Sequence, residues 1–117
     1  VKETICKLTT NRIIKDDTKT GIEKIEEILR YYPIAKKLDD AYAKRIVSRL
    51  DNVFKELEID PYFDIISMSY FNDDLRTTIA DEFGTSVTTI SRNKKRLLLE
   101  LEKRINPKEF LLDLLNM

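Results

Sequence analysis

The stretch Leu75-Arg-Thr-Thr-Ile-Ala-Asp-Glu-Phe-Gly-Thr-Ser-Val-Thr-Thr-Ile-Ser-Arg-Asn-Lys-Lys-Arg-Leu97 decides the fold of this chain. Ala80 is small where two helices must approach closely. Gly84, four residues on, can take the left-handed conformation that a tight turn demands. Ile90, six further on, points back into the same core as Ile79, Phe83 and Val87. The spacing predicts a short helix over Leu75 to Phe83 ended by Gly84. A long helix capped by Ser86 then runs to about Arg104. The pair reads as a helix-turn-helix.

The second helix has two sides. Its inward side is Val87, Ile90, Leu97 and Leu101, with Lys94 on the same flank. Its outward side near the N-terminus carries Thr85, Thr88, Thr89, Ser91, Arg92 and Lys95. Short hydroxyls allow close approach to a DNA major groove, and Arg92 can reach a guanine edge with both guanidinium nitrogens. Ser86 and the free N–H groups of the helix start suit a phosphate. Lys94, Arg96 and Arg76 are candidate backbone-phosphate contacts. Between Ser86 and Leu97 stand four basic residues and no acid. A basic run is ordinarily a solvated helix face; here it falls where the motif requires cations.

Outward from this module, the rest of the chain is also helical in pattern. Ile22, Ile25, Ile28, Leu29 and Tyr32 recur at helical spacing opposite charged residues, with Pro33 expected to end or kink the helix. Leu38, Tyr42, Ile46, Leu50, Phe54 and Leu57 form a second stripe, with Asp39 or Asp40 as its cap. Asp60-Pro61 reads as a helix start, and that helix carries Ile65, Ile66, Tyr70 and Phe71. The expected organisation is an N-terminal arm (1–19), an N-terminal helical region (20–58), the helix-turn-helix region (59–105) and an apolar tail helix (106–117). The fold class is all-α: only two glycines and three prolines occur in 117 residues.

Composition narrows the function classes. Lys+Arg and Asp+Glu are both 21, so the net charge is zero, and a bulk polycation is excluded. There is no histidine and one cysteine, Cys6, which removes Cys/His zinc sites, His-dependent nucleophilic catalysis and any intramolecular disulfide. Asp39-Asp40 and Asp73-Asp74 are paired acids, but Asp at a helix end is ordinarily a cap. The expectation is a non-enzyme without cofactor or metal. No apolar run approaches the roughly 20 residues of a membrane span, and no basic-then-apolar leader opens the chain. Cytoplasmic location is expected, in a bacterial host if the resemblance below holds.

Asp60-Pro61-Tyr62-Phe63 through Leu101 resembles region 4 of the sigma-70 family. The matching pieces are Tyr70-Phe71-Asn72-Asp73, Ile79-Ala80, Phe83-Gly84-Thr85-Ser86, Thr89-Ile90-Ser91-Arg92 and Lys95-Arg96-Leu97. Thr78 departs from the Glu often found before the Ile-Ala pair. In overall layout the chain is similar to the ArpU/RinA group of phage-type transcriptional regulators, whose Leu-Arg-x-Tyr segment resembles Ile28-Leu29-Arg30-Tyr31-Tyr32. That resemblance implies control of late phage or mobile-element genes through double-stranded DNA and host RNA polymerase.

Two other readings stand beside it. A small-terminase-like DNA-packaging subunit is also small and helical, but assembles as a ring. A protein-binding helical module would draw on the aromatics Tyr31, Tyr32, Tyr42, Phe54, Tyr62 and Phe63, although aromatics on apolar stripes ordinarily pack a core. Phe110, Leu111, Leu112, Leu114 and Leu115 give the tail more apolar surface than one contact needs. It either folds back over the first helices or makes a homodimer presenting two recognition helices.

Overall fold

The computed structural model describes residues 5–106. These form α1 (Ile5–Lys15), α2 (Gly21–Lys36), α3 (Ala41–Leu57), α4 (Asp64–Tyr70), α5 (Arg76–Phe83) and α6 (Val87–Ile105), with no strand among the described residues. The fold is all-α. The tail helix and its dimer contact lie outside the described residues.

The helix starts are set locally. Thr20 opens α2 with a reciprocal capping box: its hydroxyl accepts from the Glu23 N–H and its own N–H donates to the Glu23 carboxylate, both at 3.1 Å. Asp40, not Asp39, caps α3, accepting from the Ala43 N–H at 2.8 Å. Asp39 instead ion-pairs with Lys44 at 3.0 Å.

Three expectations need correction. Residues 5–15 are a packed helix rather than an arm, with Cys6, Thr10, Ile13 and Ile14 buried. Those positions have ordinary helical spacing, but two of the four are not recognisably greasy. Thr10 is accommodated because its hydroxyl donates to the Cys6 carbonyl at 2.8 Å. Second, Pro33 lies inside α2, which continues one turn to Lys36. One missing N–H near the helix end is outweighed by burial of Tyr32 and Ala35 on either side. Third, Asp60-Pro61 starts a turn, and α4 begins only at Asp64. Bonds from Phe63, Ile65 and Ile66 to the carbonyls three residues earlier, each 3.0 Å, keep this segment too tight for α-helix.

Two apolar cores result. The main one joins α1, α2 and α3 to Ile66 and Tyr70 of α4 and to Leu97, Leu98, Leu101 and Ile105 of α6. A smaller one gathers Ile65, Ile79, Ala80 and Ile90, with Tyr62, Met68 and Phe83 against it. Neighbours Ile65 and Ile66 face different cores, and α6 runs from the small core at Ile90 into the large one. The helix-turn-helix is thus continuous with the N-terminal helices, although the sequence divides them near residue 59. Aromatic rings stitch the same boundary. Tyr32 packs on Phe54 at 5.2 Å and on Phe71 at 4.9 Å between centroids, and Phe54 meets Phe63 at 6.0 Å. These aromatics belong to the interior of the fold.

Candidate nucleic-acid interface

The turn between α5 and α6 is built as its residue types require. Gly84 sits at φ 62°, ψ 38°, in the left-handed region, and closes α5. The Thr85 N–H reaches back to the Ala80 carbonyl at 3.0 Å, which satisfies the helix end and turns the chain. Ser86 then caps α6: its hydroxyl oxygen accepts from the Thr89 N–H at 3.2 Å and lies 3.0 Å from the Thr89 hydroxyl. Ile79, Ala80 and Ile90 are buried beneath this turn, which is the arrangement their spacing predicts. Val87 is the exception, remaining 38% exposed. It lies in the first turn of α6, about 60° round the helix from Ile90, off the side that meets α5.

The candidate residues separate into four groups. Thr88, Arg92 and Lys95 are exposed and fall four and three residues apart, forming one outward stripe on α6. Arg92 and Lys95 have no hydrogen-bond or ion-pair partner among the described residues. Thr85, Ser86 and Thr89 belong to the turn and the cap, so Ser86 and Thr89 oxygens already serve one another.

Arg96 is committed elsewhere. Its guanidinium grips both carboxylate oxygens of Asp60, at 2.7 and 3.1 Å, and also donates to the Asn93 side chain. The Arg96 hydrogen bonds hold the Asp60 carboxyl below the usual carboxylate range, and Asp60 in turn raises the Arg96 guanidinium above its ordinary value. Asp60 also accepts from the Tyr62 N–H at 2.9 Å. Arg96 therefore ties α6 to the turn before α4, and its charge is balanced on the spot.

Lys94, Ser91 and Arg76 form the fourth group, at a cleft that Lys95 of the outward stripe also borders. The Lys94 ammonium lies 5.1 Å from the Tyr70 ring centroid, half-buried. Burial pushes its pKa below that of an ordinary lysine; Glu26 opposes the shift, and Arg76 and Arg30 add to it. Tyr70 donates to Glu26 at 2.7 Å, and Arg30 stands over the same ring at 5.3 Å. Arg76 opens α5, exposed.

Of the four cations between Ser86 and Leu97, two are therefore outward and unpaired, one is balanced by Asp60 and one is half-buried over Tyr70. Asp81 and Glu82 are exposed on α5, the helix before the turn. Asp60, Glu26 and Tyr70, which set the state of Arg96 and Lys94, escape a reading of spacing alone: they lie 36, 68 and 24 residues away in the chain. A larger groove of ≈690 Å³ runs between the end of α2 and α3, with Lys36, Lys44 and Lys55 set among Asp51 and Glu58. Its charges are mixed and it is built from helices other than α5 and α6.

No described helix is long and apolar enough to cross a membrane. Comparison of the chain with protein-family models, with curated proteins and with solved structures finds no match.

Proposed function

We propose that this chain is a sequence-specific double-stranded-DNA-binding transcriptional regulator that lays the first half of α6 in a major groove. The observation that carries the reading is the outward stripe Thr88, Arg92 and Lys95 on a helix whose start is held by the Gly84 turn and the small core. A helix enters the groove usefully only if its seat is rigid and its outer face is polar and unpaired. Arg92 and Lys95 read or fit base edges, while Thr88 permits close approach. Thr85, Ser86, Thr89 and Ser91 border the contact, and Arg76 and Lys94 hold phosphates. Arg96, paired with Asp60, serves mainly to orient α6. The zero net charge of the chain discourages indiscriminate binding. The resemblance to sigma region 4 and to the ArpU/RinA group extends this to control of late phage or mobile-element genes with host RNA polymerase as partner.

Selection of bound duplexes from random DNA tests the reading. A recovered motif is expected, and Arg92→Ala should weaken binding to it by about 1–3 kcal/mol while relaxing preference at one base pair. Failure of the full chain to retain any duplex at low salt would refute DNA binding. Light scattering separates a monomeric or dimeric regulator from a ring-forming packaging subunit.

A further inference from the structure

The cleft beside α6 contains more positive charge than the protein itself balances. It has a volume of ≈230 Å³ and is lined by Glu26, Arg76, Ser91, Lys94, Lys95 and Leu98. Three side chains are cationic, one is a carboxylate and one is a hydroxyl. The carboxylate is already shared: Glu26 accepts from the Tyr70 hydroxyl at 2.7 Å and faces Arg30 at 3.8 Å. Lys94 is held over the Tyr70 ring, with Arg30 over the same ring. Arg76 and Lys95 have no carboxylate partner among the described residues.

Half-burying an ammonium beside Arg76 and Arg30 costs free energy that Glu26 and the Tyr70 ring offset only in part, and a bound anion would lower that cost further. A well-packed apolar side chain at position 94 would avoid that penalty. The cleft therefore gathers three cationic side chains around one carboxylate that is itself shared with Tyr70 and Arg30. Its donors suit a tetrahedral oxyanion: a guanidinium fork from the start of α5, with two ammonium groups and a hydroxyl from neighbouring turns of α6.

We propose that this cleft seats one phosphate group, bound by Arg76, Ser91 and Lys94 at its floor and bordered by Lys95 on the side of the outward stripe, with Glu26 and Tyr70 positioning Lys94 from below. For the source of that phosphate the proposal rests on the DNA-binding reading, in which the group belongs to the duplex backbone. The site joins α2 of the N-terminal region to the helix-turn-helix, so DNA binding draws on both.

The site is testable without DNA. The full ¹⁵N-labelled chain is titrated with inorganic phosphate at constant ionic strength, with chloride as the control. Saturable shifts centred on Ser91, Lys94 and Lys95 are expected. Arg76→Gln, at an exposed position, and Lys94→Met should each weaken the apparent affinity by about tenfold or more, the loss of one charge-assisted hydrogen bond. Lys94→Met should also melt no lower than the parent, because it removes a half-buried charge. Shifts that match the chloride control, or an affinity unchanged in both variants, overturn the proposal.

A second arm identifies the source. With duplex DNA, Arg76→Gln should reduce the slope of log affinity against log salt by about 0.9. An unchanged slope overturns the duplex as source and assigns the site to a free phosphorylated molecule. Duplex binding with no phosphate site in the free protein overturns the cleft and spares the DNA reading. Phosphate binding with no duplex binding does the reverse.

Discussion

Replacing Asp60 with Ala removes two interactions at once: the carboxylate that Arg96 grips at 2.7 and 3.1 Å, and the acceptor for the Tyr62 N–H at 2.9 Å. The side chains of Arg96 and Asp60 are 46% and 20% exposed. Solvent screening therefore limits the pair to about 0.5–1 kcal/mol, at the upper end because the grip is two-pronged. Leaving the Tyr62 N–H without its acceptor adds about 0.5–1.5 kcal/mol. Asp60→Ala should cost about 1–2.5 kcal/mol in urea unfolding. At about 2.1 cal/mol/K of unfolding entropy per residue, a 117-residue chain loses about 4 °C of Tm per kcal/mol. The thermal shift is then about 4–10 °C.

The Asp60→Ala, Arg96→Ala cycle isolates the pair, with an expected coupling of about 0.5–1 kcal/mol. Asp60→Asn keeps an acceptor for Tyr62 and should cost less than Asp60→Ala. The pH dependence has a definite sign. Because Arg96 lowers the Asp60 pKa on folding, the stabilisation is complete above the ordinary value of 3.8 and is lost as pH falls through the lowered one. Single variants that add to within about 0.3 kcal/mol would refute the link. So would a coupling that does not decline below about pH 4.

The two glycines should respond oppositely. Gly84→Ala meets no atom within 4 Å but must hold φ +62°, so it should cost about 1–2 kcal/mol of backbone strain in denaturant unfolding. Gly21→Ala places its Cβ against Glu102 Oε2, the far end of a side chain that can swing aside. It should be neutral or stabilise by up to about 1 kcal/mol, and a cost above that size would show that Glu102 cannot move. Ile90→Ala should lose about 2–5 kcal/mol and speed amide exchange first in α5, whereas Leu97→Ala should also open α2 and α3. Equal exchange patterns in the two variants would mean that the small core is not a separate unit. Tyr70→Phe removes the hydroxyl that donates to Glu26 and should cost about 0.5–1.5 kcal/mol by the same unfolding measurement.

Much of the site was legible in the chain because its geometry is local. A glycine in the left-handed region, a serine cap and two isoleucines eleven residues apart around a small alanine depend on short stretches of backbone. The Thr88, Arg92 and Lys95 stripe follows from the same helical period. The first helix was not legible, since burying Thr10 and Cys6 hides an apolar face behind residues that also suit a surface. Pro33 misled for a related reason: its local cost is real, but burial of its neighbours overrides it. Asp60-Pro61 lies one turn ahead of α4, because tight turns and first helical turns use the same residues.

By itself, then, the sequence determined the helical class, the Ser86 cap and the turn that presents α6, because all of these depend on backbone and side-chain preferences over a few residues. Only the tertiary structure decided which cations remain available on that helix. Arg96 meets Asp60 from 36 positions away, and Lys94 meets Tyr70 and Glu26 from other helices. The way helices cross brings these groups together, and local spacing carries no record of that crossing. Four basic positions in the sequence thereby become a paired arginine, a half-buried lysine and two exposed cations without an ion-pair partner among the described residues.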